Sequence, residues 1–208
     1  MDEDLRAAKR DLRLRMRALL ADASPAGRER KSRLMCGALM GTEAWRNAPL
    51  VAGFFPFGPE PDIRPLLEGA LAEGRRLALP RVEGGTLSFR FVRSLEDCVP
   101  GAYGIREPAE SLPRAGTEDP AAGDFAAAGT VILVPGLAFD RRGGRLGRGK
   151  GFYDRFLGRL FPESGPAERA AVVGICYGFQ IVDRVPAGPE DRGIGFVLTE
   201  DGLLACGT

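Results

Sequence analysis

The chain has 208 residues and a formal net charge of +1, from 29 Lys/Arg against 28 Asp/Glu, with 44% apolar and 27% charged residues. This composition excludes a disordered chain, and the near-cancelled charge gives no global pull toward nucleic acid or membrane. There is no histidine, which excludes Ser-His-Asp triads, Cys-His pairs and histidine-ligated zinc. Acid–base or metal chemistry must therefore use carboxylates, Lys, Tyr, Cys or the substrate itself. Cys36, Cys98, Cys176 and Cys206 are widely spaced, with no CxxC pair. The start, Met1-Asp2-Glu3-Asp4, is acidic and runs into Arg-rich sequence, and no apolar run of about 18 residues follows. A reducing, cytoplasmic setting is expected.

In chain order, Leu5, Ala8, Leu12, Met16 and Leu19 predict a helix with one apolar face over residues 5–20. The other faces carry Arg6, Lys9, Arg10, Arg13, Arg15 and Arg17, and residues 1–35 hold ten Lys/Arg against six Asp/Glu, either a solvated face or a phosphate-binding one. Ser24-Pro25 opens a second helix, with Leu34, Met35, Ala38 and Leu39 as its buried stripe. Residues 50–55 read as a buried strand ended by Pro56 and Gly58, and 62–74 as a helix with Ile63, Leu66, Leu67, Ala70 and Leu71 inward. Residues 76–79 form the next strand, closed by Pro80. Strand–helix–strand at this length favours a parallel α/β sheet. Leu87, Phe89 and Phe91 alternate after Gly84-Gly85 as an edge strand or hairpin. Residues 109–129 read as surface loop with one helical turn. Val131-Ile132-Leu133-Val134 is the central strand, followed by a helix over 152–161, a strand over 171–176 and a final short strand over 196–199. The expectation is one α/β domain spanning 1–208.

The chemistry concentrates after the central strand. Residues 141–159 hold seven Lys/Arg and one acid, Asp154, and the nine positions 143–151 hold five glycines, at 143, 144, 147, 149 and 151. Glycines let backbone N–H groups approach an anion, and the helix that follows offers unpaired donors and a favourable dipole. Strand, glycine-rich basic loop and helix start form a recipe for a polyphosphate site. Gly144-x4-Gly149-Lys150 nearly spells a Walker A loop, but Gly151 stands where the Mg2+-ligating hydroxyl belongs. The strand also ends about seven residues too early, so a P-loop fold is excluded while the phosphate reading stays.

Arg145-Leu-Gly-Arg-Gly-Lys-Gly-Phe-Tyr-Asp154, preceded by Val134-Pro-Gly-Leu-Ala-Phe-Asp140, resembles the 5-formyltetrahydrofolate cyclo-ligase (methenyltetrahydrofolate synthetase) family. The resemblance continues in order through Lys9-Arg10-x-Leu12-Arg13, Glu60-x-Asp62, Leu79-Pro80-Arg81, Tyr103-Gly104-Ile105-x-Glu107-Pro108, Gln180, and Asp191 ahead of Thr199-Glu200. It implies a three-layer α/β/α fold with a mostly parallel sheet, similar to sugar-phosphate isomerases and CoA transferases. It implies conversion of 5-formyltetrahydrofolate to 5,10-methenyltetrahydrofolate with ATP and Mg2+, releasing ADP and phosphate.

The resemblance further implies that Lys9, Arg10, Arg13 and the run Arg145, Leu146, Gly147, Arg148, Gly149, Lys150, Gly151, Phe152, Tyr153 and Asp154 hold ATP. Phe55, Glu60 and Tyr103, with Arg148, Gly149, Lys150, Gly151 and Tyr153, would meet the folate. Lys150, Arg148 and Tyr153 would be catalytic, and Asp154 and Asp191 would ligate Mg2+, a hard cation suited to carboxylate oxygen. Asp154 equally suits the helix N-terminal charge. Where many relatives have His-Asp, this chain has Glu190-Asp191, and Gly195 stands at a position that is acidic in others. A monomer with a small-molecule partner is expected. The rival readings are an isomerase or CoA transferase on a similar fold, needing no ATP, and a basic nucleic-acid-binding module with strongly salt-dependent binding.

Overall fold

A computed structural model describes residues 3–116, 124–126, 128–161 and 170–207. The first helices are α1 (Glu3–Asp22), α2 (Pro25–Met40) and the short α3 (Glu43–Arg46). Ser24 caps α2, its side chain accepting the Gly27 N–H at 3.2 Å, with Pro25 in the first turn. A seven-stranded sheet follows, built from β1 (Leu50–Ala52), β2 (Arg76–Glu83), β3 (Thr86–Val92), β6 (Thr130–Pro135), β9 (Ala170–Ile175), β10 (Phe196–Thr199) and β11 (Gly202–Ala205). Its order is β11-β10-β9-β6-β1-β2-β3, so β6 is the middle strand. The five central strands run parallel, and β3 and β11 close the two edges antiparallel. Helix α4 (Arg64–Ala72) links β1 to β2, and α5 (Phe152–Leu160) links β6 to β9. Two ribbons stand apart: β4 (Cys98–Pro100) with β5 (Arg106–Pro108), and β7 (Ala138–Phe139) with β8 (Arg145–Leu146).

Period-2 alternation along the strands feeds two cores. Val51, Leu77, Val131, Leu133 and Val173 face α1, α2, α4 and Trp45. Ala52, Ala78, Ile132, Val134 and Val172 face the opposite way, onto Phe89, Phe125 and Phe156 of the α5 side. Burying such side chains contributes about 1.5–3 kcal/mol each. The result is the helix–sheet–helix layering that the family resemblance implied, around the parallel sheet expected from the strand–helix–strand pattern.

Several local expectations change. On α1 the buried stripe is Lys9, Met16 and Leu20, while Ala8 and Leu19 are exposed. A lysine sits inward because its ammonium meets a carboxylate, which apolar periodicity alone does not reveal. On α2, Ser32 and Cys36 join Met35 and Leu39 inside, while Leu34 is exposed. Strand β1 stops at Ala52, and residues 53–55 lead into the loop. Strand β2 runs through Pro80 to Glu83, because its pairing to β1 ends at Ala78 and the Pro80 nitrogen owes that neighbour nothing. A further strand, β11, follows the one expected to be last. Within 109–129, the turn Asp124–Ala126 is present with Phe125 buried; residues 117–123 and 127 lie outside the described residues. All four cysteines are free. Among the described residues, no helix is long and apolar enough to cross a membrane.

The parallel strands β1, β6 and β9 end at Ala52, Pro135 and Ile175, and their following loops gather at one edge of the sheet. Open α/β sheets place ligands at this edge.

Candidate active site

The loop after β6 folds back as the β7/β8 ribbon, with Phe139 opposite Arg145. Asp140 fixes the turn between them. Its buried carboxylate accepts the N–H groups of Arg142 (2.9 Å) and Gly144 (2.8 Å) on one oxygen and Val185 (2.8 Å) on the other. Gly143, at φ +89°, exchanges backbone contact with the 185–195 segment: Ile194 N–H donates to its carbonyl at 3.0 Å. A Cβ at Gly143 would lie 2.5 Å from the Ile194 carbonyl oxygen. Further on, Gly151 takes a left-handed conformation (φ +64°) as the N-cap of α5 and brings no side-chain acceptor. The first N–H groups of α5 are therefore left for an anion.

Cations surround this helix start. Arg13 spans from α1, its Nε donating to the Gly147 carbonyl at 3.0 Å. Burial and the neighbouring Arg17 lower its pKa, against the opposing pull of Asp191 and Asp154, both within electrostatic reach. Lys150 meets no carboxylate among the described residues; its ammonium lies 5.7 Å from the centre of the Tyr103 ring. Arg148 donates from Nε (3.1 Å) and Nη2 (2.6 Å) to Glu60, whose other oxygen accepts the Phe57 N–H at 2.9 Å. Arg145 is different in kind. Its side chain is 2% exposed and its Nη2 donates to Asp154 at 2.6 Å, so it acts on the loop from beneath rather than facing solvent. Arg10 lies on the solvent side of α1 with only Asp11 nearby, at 3.9 Å. Leu146 is core.

The aromatic groups divide similarly. The Tyr153 hydroxyl is buried without a hydrogen-bond partner, beside Arg145. Burial, reinforced by Glu60, pushes its pKa far up, so it stays protonated as a donor. Tyr103 is 58% exposed and holds φ +57°, with its ring 6.4 Å from Phe152. A left-handed tyrosine is strained, which fits a ring presented to a ligand. Phe55 is half-buried beneath the Arg106 guanidinium.

The two acids expected to hold Mg2+ come together. The N–H of Arg192, next to Asp191, donates to Asp154 Oδ1 at 3.3 Å. Lys9 donates to Asp191 Oδ2 at 2.5 Å, and Gly188 N–H reaches the same oxygen at 2.6 Å. Among the described residues, nothing engages Oδ2 of Asp154 or Oδ1 of Asp191. Each carboxylate thus keeps one oxygen open, and that donor set suits a hard divalent cation. Among the described residues, no cluster of three or more His, Cys, Asp or Glu side chains is placed to hold a metal ion.

Sequence reasoning gave no role to Asp140, although Asp followed by Gly at three and four positions is a turn-forming pattern. Gln180 also stands out. It is buried, and its amide donates to the carbonyls of Gly136 (3.2 Å) and Leu137 (3.0 Å) at the root of the loop.

A family model described as the 5-formyltetrahydrofolate cyclo-ligase family matches residues 5–200. A 5-formyltetrahydrofolate cyclo-ligase of Mycolicibacterium smegmatis is 34% identical over 161 residues, covering 74% of this chain and 76% of that protein. The cyclo-ligase of Mus musculus is 26% identical over 208 residues, covering 94% and 95%. The solved structure of the Aquifex aeolicus 5,10-methenyltetrahydrofolate synthetase superposes with a TM-score of 0.77 at 33% identity, covering 95% of this chain and 92% of that one. A Mycoplasma pneumoniae synthetase, at 19% identity and a TM-score of 0.66, shares the fold over 92% of this chain and 98% of its own. The chain belongs to the 5-formyltetrahydrofolate cyclo-ligase family and is an enzyme of that class.

Proposed function

We propose that this enzyme closes 5-formyltetrahydrofolate to 5,10-methenyltetrahydrofolate at the expense of ATP, and that Asp154 and Asp191 would hold its Mg2+. The observation that carries this reading is the uncapped start of α5, flanked by Lys150 and Arg13, beside two carboxylates with open oxygens. Amide nitrogens and cations fit a polyphosphate, and the carboxylates fit its metal. Mg2+ would supply charge neutralisation among the phosphate oxygens.

A formyl amide is a poor electrophile and its oxygen a poor leaving group. Attack of that oxygen on the γ-phosphorus forms an O–P bond and releases ADP. N10 of the same folate then attacks the activated carbon and loses its proton, and the C–O bond breaks with departure of phosphate. Because N10 and the carbon belong to one ligand, holding its conformation supplies much of the acceleration. Lys150 and Arg148 would neutralise the moving phosphoryl charge, and the protonated Tyr153 hydroxyl would donate to a substrate oxygen. Phe55, Glu60 and Tyr103 would orient the folate. Asp140 and Gln180 would hold the loop, and Arg145 would hold Asp154.

A monomer remains the proposed state, since the reading calls on no residue of a second copy, and the four free thiols fit a reducing compartment. The test is an incubation with 5-formyltetrahydrofolate, ATP and Mg2+. Methenyltetrahydrofolate and ADP should form in equal amounts, each requiring both substrates and the metal. ADP formed equally without folate would make the protein an ATPase and overturn the reading.

A further inference from the structure

Between α2 and the loop that follows β1 lies an open groove of about 350 Å3. One wall is formed by Phe55, Pro56 and Glu60, of which Phe55 and Glu60 are proposed above to meet the folate; the other wall carries Arg28, in the first turn of α2. Every carboxylate lining this groove already has its own arginine. Glu60 is held by Arg148, Asp62 by two contacts from Arg64 (2.9 and 2.5 Å), and Glu29 by Arg33 one helical turn on. Arg28 is the exception. Its Nη1 donates to the Leu20 carbonyl at 3.2 Å, and among the described residues it meets no carboxylate. The groove is left with one guanidinium charge that nothing lining it offsets. Beside it, the Tyr177 hydroxyl lies a long 3.5 Å from Ser32 Oγ, whose own proton goes to the Arg28 carbonyl at 2.8 Å.

We infer that this groove receives the glutamate end of the pteroylglutamate substrate, with Arg28 binding its carboxylates. The inference rests on the folate reading of Phe55 and Glu60 and extends it. A folate leaves an aminobenzoyl ring and an anionic tail beyond its pterin. Phe55 and Pro56 offer apolar surface for the ring, and Arg28 offers the fork geometry that carboxylates bind. The acids along the way are already paired, so the tail meets no unbalanced negative charge.

The experiment compares 5-formyltetrahydrofolate with its analogue lacking glutamate, 5-formyltetrahydropteroate, in the wild type, Arg28→Gln and Arg28→Lys. KM is measured with saturating ATP and Mg2+, and Kd by equilibrium dialysis without nucleotide. In the wild type, removing the glutamate should raise both constants about three- to tenfold, the range for a charge pair in a partly solvated groove. In Arg28→Gln that ratio should fall to about one, and Arg28→Lys should restore part of it. A wild type that treats the two ligands alike would overturn the inference. So would an Arg28→Gln that weakens both equally, since the groove would then hold the pterin. A protein that binds the glutamyl ligand through Arg28 but turns over neither compound would keep this inference and overturn the cyclo-ligase mechanism instead.

Discussion

Arg145 donates from Nη2 to Oδ1 of Asp154 at 2.6 Å, from a side chain only 2% exposed, and Arg192 N–H shares the same oxygen. This pair joins ribbon β7/β8 to the first turn of α5 and to the 185–195 segment. One carboxylate therefore has a structural task through Oδ1, and the proposed function gives its open Oδ2 a second one, toward the metal.

Asp154→Asn should disturb both. It leaves the buried Arg145 guanidinium uncompensated, which should lower stability by about 2–4 kcal/mol, less than for a fully buried pair because Asp154 is 19% exposed. It should also raise the Mg2+ concentration needed for activity more than Asp191→Asn does, since Asp154 sits in the first turn of the helix proposed to meet the phosphates. Denaturant titration measures the first effect and a Mg2+ titration of rate the second. An unchanged Mg2+ requirement in a folded variant would remove Asp154 from the metal site.

Lys150→Met keeps bulk and removes a charge that has no carboxylate partner among the described residues. Little apolar burial depends on this exposed side chain, so its melting temperature should hold within a degree or two. Loss of one charge contact to the moving phosphoryl group should cost roughly 2–4 kcal/mol in kcat/KM, about 30- to 1,000-fold. Near-wild-type kcat/KM would take Lys150 out of the site.

Gly143→Ala tests the link between the phosphate loop and the 185–195 segment. The new Cβ would lie 2.5 Å from the Ile194 carbonyl at a positive φ, and the strain should cost about 1–3 kcal/mol. Unfolding followed by the buried Trp45, the chain's one tryptophan, reads the stability. Weaker ATP binding should accompany it, because Asp191 and the loop are held together through this contact. Wild-type stability would mean that the backbone shifts freely there.

How far this arrangement could be read from sequence varies by element. The β1–α4–β2 unit, the middle strand β6 and the start of α5 followed from continuous apolar runs, helical spacing and flanking Gly and Pro. Their signals are local. Lys9 on the inner stripe of α1 was not legible, because its reason for being there is Asp191, 182 positions away. Arg145 was expected to face phosphate, yet it lies beneath the loop; a basic residue in a glycine-rich run gives no sign of which side it takes. Strand β11 was missed because its Gly202-Leu203-Leu204-Ala205 is too short to stand without its partner β10. Arg28 drew no attention either, since its distinction is the lack of a nearby carboxylate, a property of three-dimensional surroundings.

A pH prediction comes from Glu200. Burial alone would push its carboxyl up, but hydrogen bonds from Lys31 and the Gly178 N–H outweigh this and hold it below the usual range. The folded pKa is depressed, so the stabilisation is complete above the ordinary glutamate value and disappears as pH falls through the folded one. Glu200→Gln should melt earlier than the wild type at pH 7, and the gap should close as the buffer is taken below the ordinary glutamate range. A gap independent of pH would show that the charge of Glu200 contributes nothing.

The most direct test of the whole account follows an oxygen atom. If the formyl oxygen attacks the γ-phosphorus and leaves with it, 5-formyltetrahydrofolate labelled with 18O at the formyl group should yield inorganic phosphate carrying one 18O per methenyl product. Mass spectrometry of the phosphate, in unlabelled water, gives the answer. Unlabelled phosphate, formed in step with methenyltetrahydrofolate, would mean that ATP is split without activating the formyl oxygen, and would contradict the mechanism.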